Sequence, residues 1–169
     1  MPFFVKQLIN TNAAVAAEIH AVQIAAYEQE ARLLEVSHFP PLDATADQVR
    51  SSQELFFGAL SGREIVGLIA VSEEPRVQAL TIGSLVVAPR SQRQGVGRLL
   101  LSFISTRFEA SHMSVSTAAK NGPALALYAA LGFVEYRREF VGPERLELVV
   151  LEKVQANPSF KRTGLWPAA

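Results

Sequence analysis

The sequence predicts a mixed α/β domain, and three observations support this class. The uncharged stretch Ala79–Val87 indicates a strand buried on both faces, because short apolar runs rich in β-branched residues suit such strands. A glycine-containing turn then leads into a helical pattern with one apolar face: Val96, Leu100, Ile104 and Phe108. Two further strand patterns flank Ser61-Gly62-Arg63, a hairpin signal. This alternation predicts mixed α/β structure and nothing finer.

The first quarter of the chain predicts one strand and a helix. The strand covers Phe3 to Leu8. Thr11 or Asn12 can cap the helix, which has one apolar stripe and can extend past Tyr27 toward Leu34. Three acids are expected on its solvated face: Glu28, Glu30 and Glu35.

The next segment predicts a second helix and the hairpin. Pro40 and Pro41 must end the first helix, since the residue before a proline avoids helical geometry. Thr45 with Gln48 forms a capping box for a short helix. Strands are expected from Leu55 to Leu60 and from Glu64 to Ser72.

The second half continues with the buried strand, two helices and three more strands. Pro123 suits the first position of a helix and Gly132 its end. The expected order is a strand at 79–87, a helix at about 95–109, a strand at 113–117, a helix from 123, and strands at 133–141 and 145–154. Residues 1–156 are expected to form one domain, and 157–169, with Trp166, a C-terminal tail.

Composition narrows the class of protein. A chain of 169 residues with 49% hydrophobic residues can bury a sizeable core. Its formal net charge of +0 does not favour a nucleic-acid partner. It has no cysteine, which excludes disulfides and cysteine-based metal sites. The sequence shows no signal peptide and no apolar run of about 20 residues, so we expect a cytoplasmic protein without a membrane partner. We also expect no bound metal.

The turn after the buried strand has the chemistry of an anion site. The first N–H groups of a helix lack intrahelical partners, and the helix dipole adds positive charge there. Gly95 and Gly97 let a ligand approach the backbone closely, and Arg93 and Arg98 add formal charge. A phosphate or pyrophosphate is the expected guest. The alternative is a helix start that happens to contain glycine.

Two known phosphate motifs are excluded, and a third fits. A Walker loop would place Lys and Ser or Thr where Arg98-Leu99 stands, and a dinucleotide fingerprint would place Gly or Ala at Leu100. The stretch instead resembles the pyrophosphate signature of the GNAT acetyltransferase superfamily. That signature is Gln or Arg, two residues, Gly, one residue, then Gly or Ala, and Gln92, Gly95 and Gly97 match it.

A second stretch strengthens the resemblance. Asn121, Ala124, Tyr128 and Gly132-Phe133 fall at the spacing seen near the C-terminal end of many GNAT domains. The resemblance covers about residues 3 to 154. It implies the GNAT fold, a mixed central sheet of about seven strands that is splayed in the middle, with helices on both faces.

The resemblance implies acetyl, or other acyl, transfer from acetyl-CoA to a primary amine by direct attack in a ternary complex. The backbone of Leu85, Val86 and Val87 would pair with the pantetheine arm. The pyrophosphate would lie on the loop formed by Gln92, Arg93, Gln94, Gly95, Val96, Gly97 and Arg98. Asn121 and Ala124 would complete the cofactor site, with helix capping as an equal alternative for Asn121.

Tyr128 matches the family tyrosine that protonates the leaving thiolate. A phenol of ordinary pKa ~10 is protonated at neutral pH and can donate. Its ionisation would make the rate fall at high pH. A core tyrosine one turn after Ala124 is the alternative.

The resemblance does not identify the general base. Many relatives carry an acid at the position of Thr81 or a histidine at that of Gly83, and this chain has neither. Ser84 could hold a water relay, and Glu73 and Glu74 could act from the rim. His38 borders the acceptor side, although lone loop histidines are seldom catalytic.

Two other functions stay open at this point, an acyl-CoA-binding sensor without turnover and a phosphate-binding interaction module. The acceptor is a small-molecule or protein amine that the sequence does not identify. Self-association as a homodimer is a further hypothesis, motivated by the apolar strand Leu146 to Leu151 and by Trp166.

Overall fold

Residues 2–155, the part of the chain that the computed structural model describes, form strands and helices in the predicted order. Trp166 and the expected tail lie outside these residues. The elements are β1 (Phe4–Leu8), α1 (Ala13–Leu34), α2 (Ala46–Ser51), β2 (Leu55–Ser61), β3 (Glu64–Glu74), β4 (Ala79–Val87), α3 (Val96–Arg107), β5 (His112–Ala118), α4 (Gly122–Ala130), β6 (Val134–Val141) and β7 (Leu146–Val154).

Both predicted helix starts are capped as the sequence indicates. Asn12 Oδ1 accepts hydrogen bonds from the N–H groups of Ala14 and Val15, at 3.0 and 3.2 Å. Thr45 and Gln48 form both bonds of the capping box, at 2.9 and 3.2 Å. These side chains satisfy backbone donors that the first turn of a helix leaves without partners.

The seven strands form one mixed sheet in the order β1-β2-β3-β4-β5-β7-β6. Every neighbouring pair is antiparallel except β4 and β5, which run parallel. That pairing covers only Ala79–Ile82 against His112–Val115, so the two strands separate beyond Ile82. The predicted splay in the middle of the sheet is therefore confirmed.

A β-bulge lies at the point of separation. Ala70 of β3 pairs with Ser84 and Val71 pairs with Ile82, which leaves Gly83 without a cross-strand partner. A bulge bends its strand and turns the following side chains to the other face of the sheet. β4 therefore turns away from β5 after Ile82.

Helices cover both faces of the sheet. On one face α1 and α2 pack on a cluster that includes Ile19, Leu68 and Val86. On the other face α3 and α4 pack on a larger cluster, with Leu80, Leu100, Ile104, Met113 and Tyr128. Each fully buried leucine or isoleucine contributes about 1.5–3 kcal/mol, so these two layers hold the split sheet in place. None of the helices within residues 2–155 is long and apolar enough to cross a bilayer.

The apolar residues of β7 serve the monomer. Val149 and Leu151 are buried in the core, and Leu146 and Leu148 line a cavity. These four residues thus have contacts within one chain, and the homodimer stays a hypothesis. Exposed apolar side chains near this end of the sheet belong to the edge strand β6 and to the last residue of β7: Val134, Tyr136, Phe140 and Val154.

Candidate active site

A cavity of about 250 Å³ opens where β4 and β5 separate. Its walls come from α1, the loop after α1, the separated ends of β4 and β5, α4, and β7. Within the described residues, the titratable side chains that line it are Tyr27, Glu30 and Tyr128, and no lysine, arginine or histidine does so. The cavity therefore has acidic and phenolic groups and no fixed positive charge.

Tyr128 lies where the sequence predicts a general acid. Its side chain lines the cavity, is 4% exposed, and packs edge-on against Phe133 with ring centroids 5.4 Å apart. Within residues 2–155 its hydroxyl has no hydrogen-bond partner. Burial above all, with Glu30 and Tyr27 nearby, raises the pKa of Tyr128 well above its ordinary value. The phenol therefore keeps its proton and has it free to donate.

Ser84 also lines the cavity, and it is joined to a tyrosine that sequence reasoning missed. The Tyr27 hydroxyl and Ser84 Oγ lie 2.8 Å apart. Burial raises the pKa of Tyr27, and the hydrogen bond to Ser84 opposes that rise. The ring of Tyr27 meets Phe39 edge-on at 6.0 Å. The Ser84 hydroxyl is thus held at the cavity wall by a second hydroxyl, which fits a proton or water relay.

The expectation that Glu30 lies on a solvated helix face is wrong. Glu30 follows Tyr27 by three residues, so both side chains project from one face of α1, and both line the cavity. Burial raises the pKa of Glu30, and a hydrogen bond from Asn121 partly opposes the rise. Glu30 makes no ion pair with any described residue. The i, i+3 spacing with Tyr27 was the sequence signal that could have found it.

Asn121 uses both ends of its amide within the protein. Its Oδ1 accepts a hydrogen bond from the Ala124 N–H at 3.2 Å and so caps α4. Its Nδ2 donates to Glu30 Oε1 at 3.1 Å. The capping alternative for Asn121 is therefore confirmed. A contact of Asn121 or Ala124 with the cofactor stays a prediction.

Glu54 places a carboxylate where β4 has no side chain at Gly83. A Cβ atom built on Gly83 would fall on the Glu54 carboxylate, so that carboxylate occupies the space of the missing side chain. Gly83 and Ser84 line the cavity, and the charge of Glu54 contributes to the raised pKa of Tyr27. Glu54 directly precedes β2, and no local pattern in the sequence links it to Gly83.

The other acids and bases that the sequence suggested lie away from the cavity. Glu73 and Glu74 are exposed at the end of β3, and neither lines the cavity. His38 is exposed and its Nε2 lies 3.3 Å from Asp43 Oδ2. These positions give no support to a rim acid or to His38 as the base.

The loop before α3 presents free backbone donors. Gly95 has φ 83 and Arg93 has φ 62, a left-handed geometry that turns successive N–H groups toward one side. The first helical N–H with a partner in the helix is that of Leu99, which donates to Gly95 O at 2.9 Å. Arg93 and Arg98 are exposed and form no ion pair within residues 2–155. This arrangement suits an anion.

Three of the residues predicted to bind the cofactor face inward. Gln92 Nε2 donates to Gln29 Oε1 at 2.6 Å and to Val87 O at 3.2 Å, and Val96 is 2% exposed. A Cβ on Gly97 would lie 2.9 Å from Leu127 Cδ2. The absence of a side chain at Gly97 therefore allows α3 to pack on α4, and a contact of its backbone with the cofactor stays a prediction. These residues can offer only backbone groups to an anion.

The separated end of β4 offers a free backbone edge. Leu85, Val86 and Val87 pair with β3 on one side and have no strand on the other, because pairing with β5 stops at Ile82. The side chain of Val86 is buried in the core. Unpaired backbone groups at a sheet edge accept an extended, amide-containing chain.

The cavity wall after α1 is tied to the turn between β6 and β7. Glu144 accepts hydrogen bonds from Ser37 Oγ at 2.6 Å and from the N–H groups of Ser37 and His38 at 3.3 and 3.0 Å. These bonds, that of the Ser37 side chain first, lower the pKa of Glu144. Pro40 and Pro41, which follow this loop, are thereby held at the cavity. No group of three or more acidic, histidine or cysteine side chains that could hold a metal occurs within the described residues.

Comparisons with known proteins agree with this geometry. A family model described as an acetyltransferase (GNAT) domain matches residues 16–147. The UPF0157 protein YqkA of Bacillus subtilis (strain 168) is 38% identical over 127 residues, which are 75% of this chain and 36% of that protein. The chain thus spans about a third of the length of this curated relative.

Solved structures share the fold. The ribosomal-protein-S18-alanine N-acetyltransferase from Escherichia coli has a TM-score of 0.72 at 18% identity, over 95% of this chain and 99% of that one. The paia N-acetyltransferase from Thermoplasma acidophilum, in complex with coenzyme A, has a TM-score of 0.71 at 13% identity, over 92% and 100%.

Proposed function

Because the chain belongs to the GNAT acetyltransferase family, we propose that it transfers an acetyl group from acetyl-CoA to a primary amine within a ternary complex. The observation that carries this proposal is the position of the Tyr128 hydroxyl, which lies in the cavity between the separated strands without a partner among the described residues. A catalytic acid must have a proton to give at the pH of the reaction, and burial ensures that Tyr128 has one.

The groups around the cavity fit acetyl-CoA. The N–H groups at the start of α3, with Arg93 and Arg98, would hold its pyrophosphate. The free edge of β4 from Leu85 to Val87 would pair with the amide-containing pantetheine arm. When bound, the donor supplies a thioester carbonyl carbon that an amine can attack.

The contribution of the protein is first of all positioning. An amine and a thioester held in the correct geometry react far faster than the same groups free in water. Tyr128 then gives its proton to the sulfur that leaves, so that the leaving group is a neutral thiol. Because burial raises the pKa of Tyr128, this proton remains available at the alkaline pH at which amines become neutral.

The charges at the cavity favour a cationic acceptor. Glu30 lines the cavity and Glu54 lies beside Gly83, and neither has a cationic partner among residues 2–155. An amine arrives at neutral pH as an ammonium ion, which two such carboxylates attract. We assign Glu30, held by Asn121, to binding this ammonium ion. The acceptor can be a small molecule or the amino group of a protein.

Two measurements test the proposed function. Calorimetry should show acetyl-CoA binding, and Arg93→Ala with Arg98→Ala should weaken the affinity by about tenfold or more, because charge-assisted hydrogen bonds to phosphate are lost. Thiol release from acetyl-CoA with ethylamine, spermidine or a peptide with an N-terminal alanine should then reveal turnover. Binding without thiol release for any amine would indicate a sensor, and absence of binding would overturn the proposal.

A further inference from the structure

We infer that Glu54, which reaches β4 from the residue before β2, is the general base that takes the proton of the attacking amine. This inference rests on the proposed function and supplies the base that β4 itself lacks.

The first observation is the space that Gly83 leaves. Gly83 lines the cavity at the bulge where β4 leaves β5. A side chain on this residue would project into the volume that the Glu54 carboxylate fills. The carboxylate thus lies where a side chain carried by β4 at Gly83 would begin, although the chain supplies it from the turn before β2. Neither Gly83 nor Thr81 could itself accept a proton as a base.

The second observation is a set of polar groups at the same place. Tyr27, from α1, lies close enough to Glu54 for the carboxylate to contribute to its raised pKa. The Tyr27 hydroxyl is bonded to Ser84 Oγ, and Ser84 follows Gly83. Two hydroxyls of the cavity wall thus lie near the Glu54 carboxylate, which lies behind Gly83, and we infer that a proton can pass to it directly or through a hydroxyl.

The third observation is that Glu54 is held in place and left without a cation. Ser52 Oγ donates to Glu54 Oε1 at 3.4 Å and accepts from the Glu54 N–H at 3.2 Å. Asn10 Nδ2 donates to Val49 O at 2.8 Å and to Ser52 O at 3.1 Å, which fixes the turn before β2. Within residues 2–155 no lysine, arginine or histidine pairs with Glu54. A positioned carboxylate without a partner is suited to an incoming ammonium ion.

The proposed step balances as follows. The ammonium ion first loses one proton to water. The amine nitrogen then forms its bond to the acetyl carbon and gives a second proton to Glu54, while the carbon–sulfur bond breaks and Tyr128 protonates the sulfur. Tyr128 is restored by the proton that Glu54 holds. One amide, one thiol and one proton in solution result from each ammonium ion and thioester.

Glu30 and Glu54 have different proposed roles, binding of the amine and acceptance of its proton. Glu30 is bonded to Asn121 and its charge acts on Tyr128, whereas Glu54 lies beside Gly83, and both charges act on Tyr27. Loss of Glu54 should therefore affect the chemical step, and loss of Glu30 should affect binding of the amine. A merely structural role for either residue would not produce this division.

The test uses ethylamine, a primary amine small enough to enter the cavity, with saturating acetyl-CoA. Glu54→Gln should lower kcat by about 10²–10⁴ with little change in acetyl-CoA affinity or melting temperature. Its kcat should then rise with pH, because hydroxide replaces the missing base, while the wild-type kcat reaches a plateau. Glu30→Gln should mainly raise KM for ethylamine. Glu28→Gln, an exposed acid on the same helix, serves as the matched control and should behave as wild type.

The outcomes that would overturn the inference distinguish it from the proposed function. A wild-type kcat and an unchanged pH profile in Glu54→Gln would reject Glu54 as the base and leave the proposed function intact. The same conclusion would follow if Glu30→Gln lost kcat while Glu54→Gln kept it. Absence of thiol release from wild-type protein that binds acetyl-CoA would reject the proposed function and the inference with it.

Discussion

Tyr128 shows how burial keeps a phenol protonated. Removing a phenol from water disfavours its charged form, and the neighbouring Glu30 disfavours a second negative charge. Both effects keep the proton on Tyr128. A fall in rate caused by Tyr128 ionisation is therefore displaced to more alkaline pH than the ordinary phenol pKa of ~10 would give, so the rate should rise with pH to a plateau.

The same burial predicts how stability depends on pH. An unfolded chain releases the Tyr128 proton near pH ~10, whereas the folded chain retains it, so the folded state binds more protons and its stability falls as pH rises above that value. Tyr128→Phe removes this contribution. Urea unfolding at pH 8 and pH 11 should show a smaller loss of unfolding free energy in Tyr128→Phe than in wild type. Equal losses would mean that the phenol is not shielded from water.

The residues found only in the structure share one property. Glu30 is bonded to Asn121 across 91 positions of sequence, and Tyr27 to Ser84 across 57. The i, i+3 spacing of Tyr27 and Glu30 indicates that they share a helix face, but local patterns report only on neighbours in sequence and do not indicate which distant residues that face contacts. Tyr128 and Ser84 could be named from the sequence because they lie in, or close to, stretches that resemble GNAT motifs, and both line the cavity, while their catalytic roles stay predictions. Glu54 could not be named, because it reaches Gly83 from the distant turn before β2.

At the scale of elements, α3 joins two requirements at its first turn. Its free N–H groups need an open approach, while its packing on α4 needs close contact. Gly95 serves the first, because its left-handed conformation turns the chain and no atom lies near the place of a Cβ. Gly97 serves the second. The sequence predicted both glycines as ligand contacts, since a motif shows spacing and not the direction in which each residue faces.

The packing role of Gly97 can be tested by the stability of Gly97→Val. The added side chain must clash with Leu127, so we expect a loss of unfolding free energy of about 1–3 kcal/mol, typical of overpacking. Gly97→Ala combined with Leu127→Ala should be less destabilised than the sum of the two single variants, because each relieves the other. Additive losses in urea unfolding, or a fully stable Gly97→Val, would contradict the packing role.

The elements themselves followed from local signals. The starts of α1 and α2 and the bounds of β4 were predicted to within one or two residues, from Asn12, from the Thr45–Gln48 capping box and from an apolar run. Most side chains of β6 face solvent, so this strand lacks the apolar pattern that marks β4. The sequence could not give the bulge at Gly83, which depends on pairing with β3.

At the scale of the whole molecule, the split sheet is what brings the parts together. β4 and β5 share a short parallel ladder and then separate, and the gap is lined from both faces by α1 and α4. α1 contributes Tyr27 and Glu30, α4 contributes Tyr128, and the turn before β2 contributes Glu54. The β6–β7 turn holds the remaining wall through Glu144. Tyr128 and the free edge of β4 thus lie at one opening, with the Glu54 carboxylate against Gly83 in its wall.

The central claim is that this opening is a site of acetyl transfer in which Tyr128 is the acid. The most direct measurement compares thiol release from acetyl-CoA, with ethylamine as acceptor, in wild type and Tyr128→Phe. The variant keeps the ring that packs on Phe133 and removes only the oxygen, so acetyl-CoA affinity should be unchanged and kcat should fall by about 10²–10⁴. Turnover of Tyr128→Phe at the wild-type rate would contradict the account, because the thiolate would then take its proton from solvent.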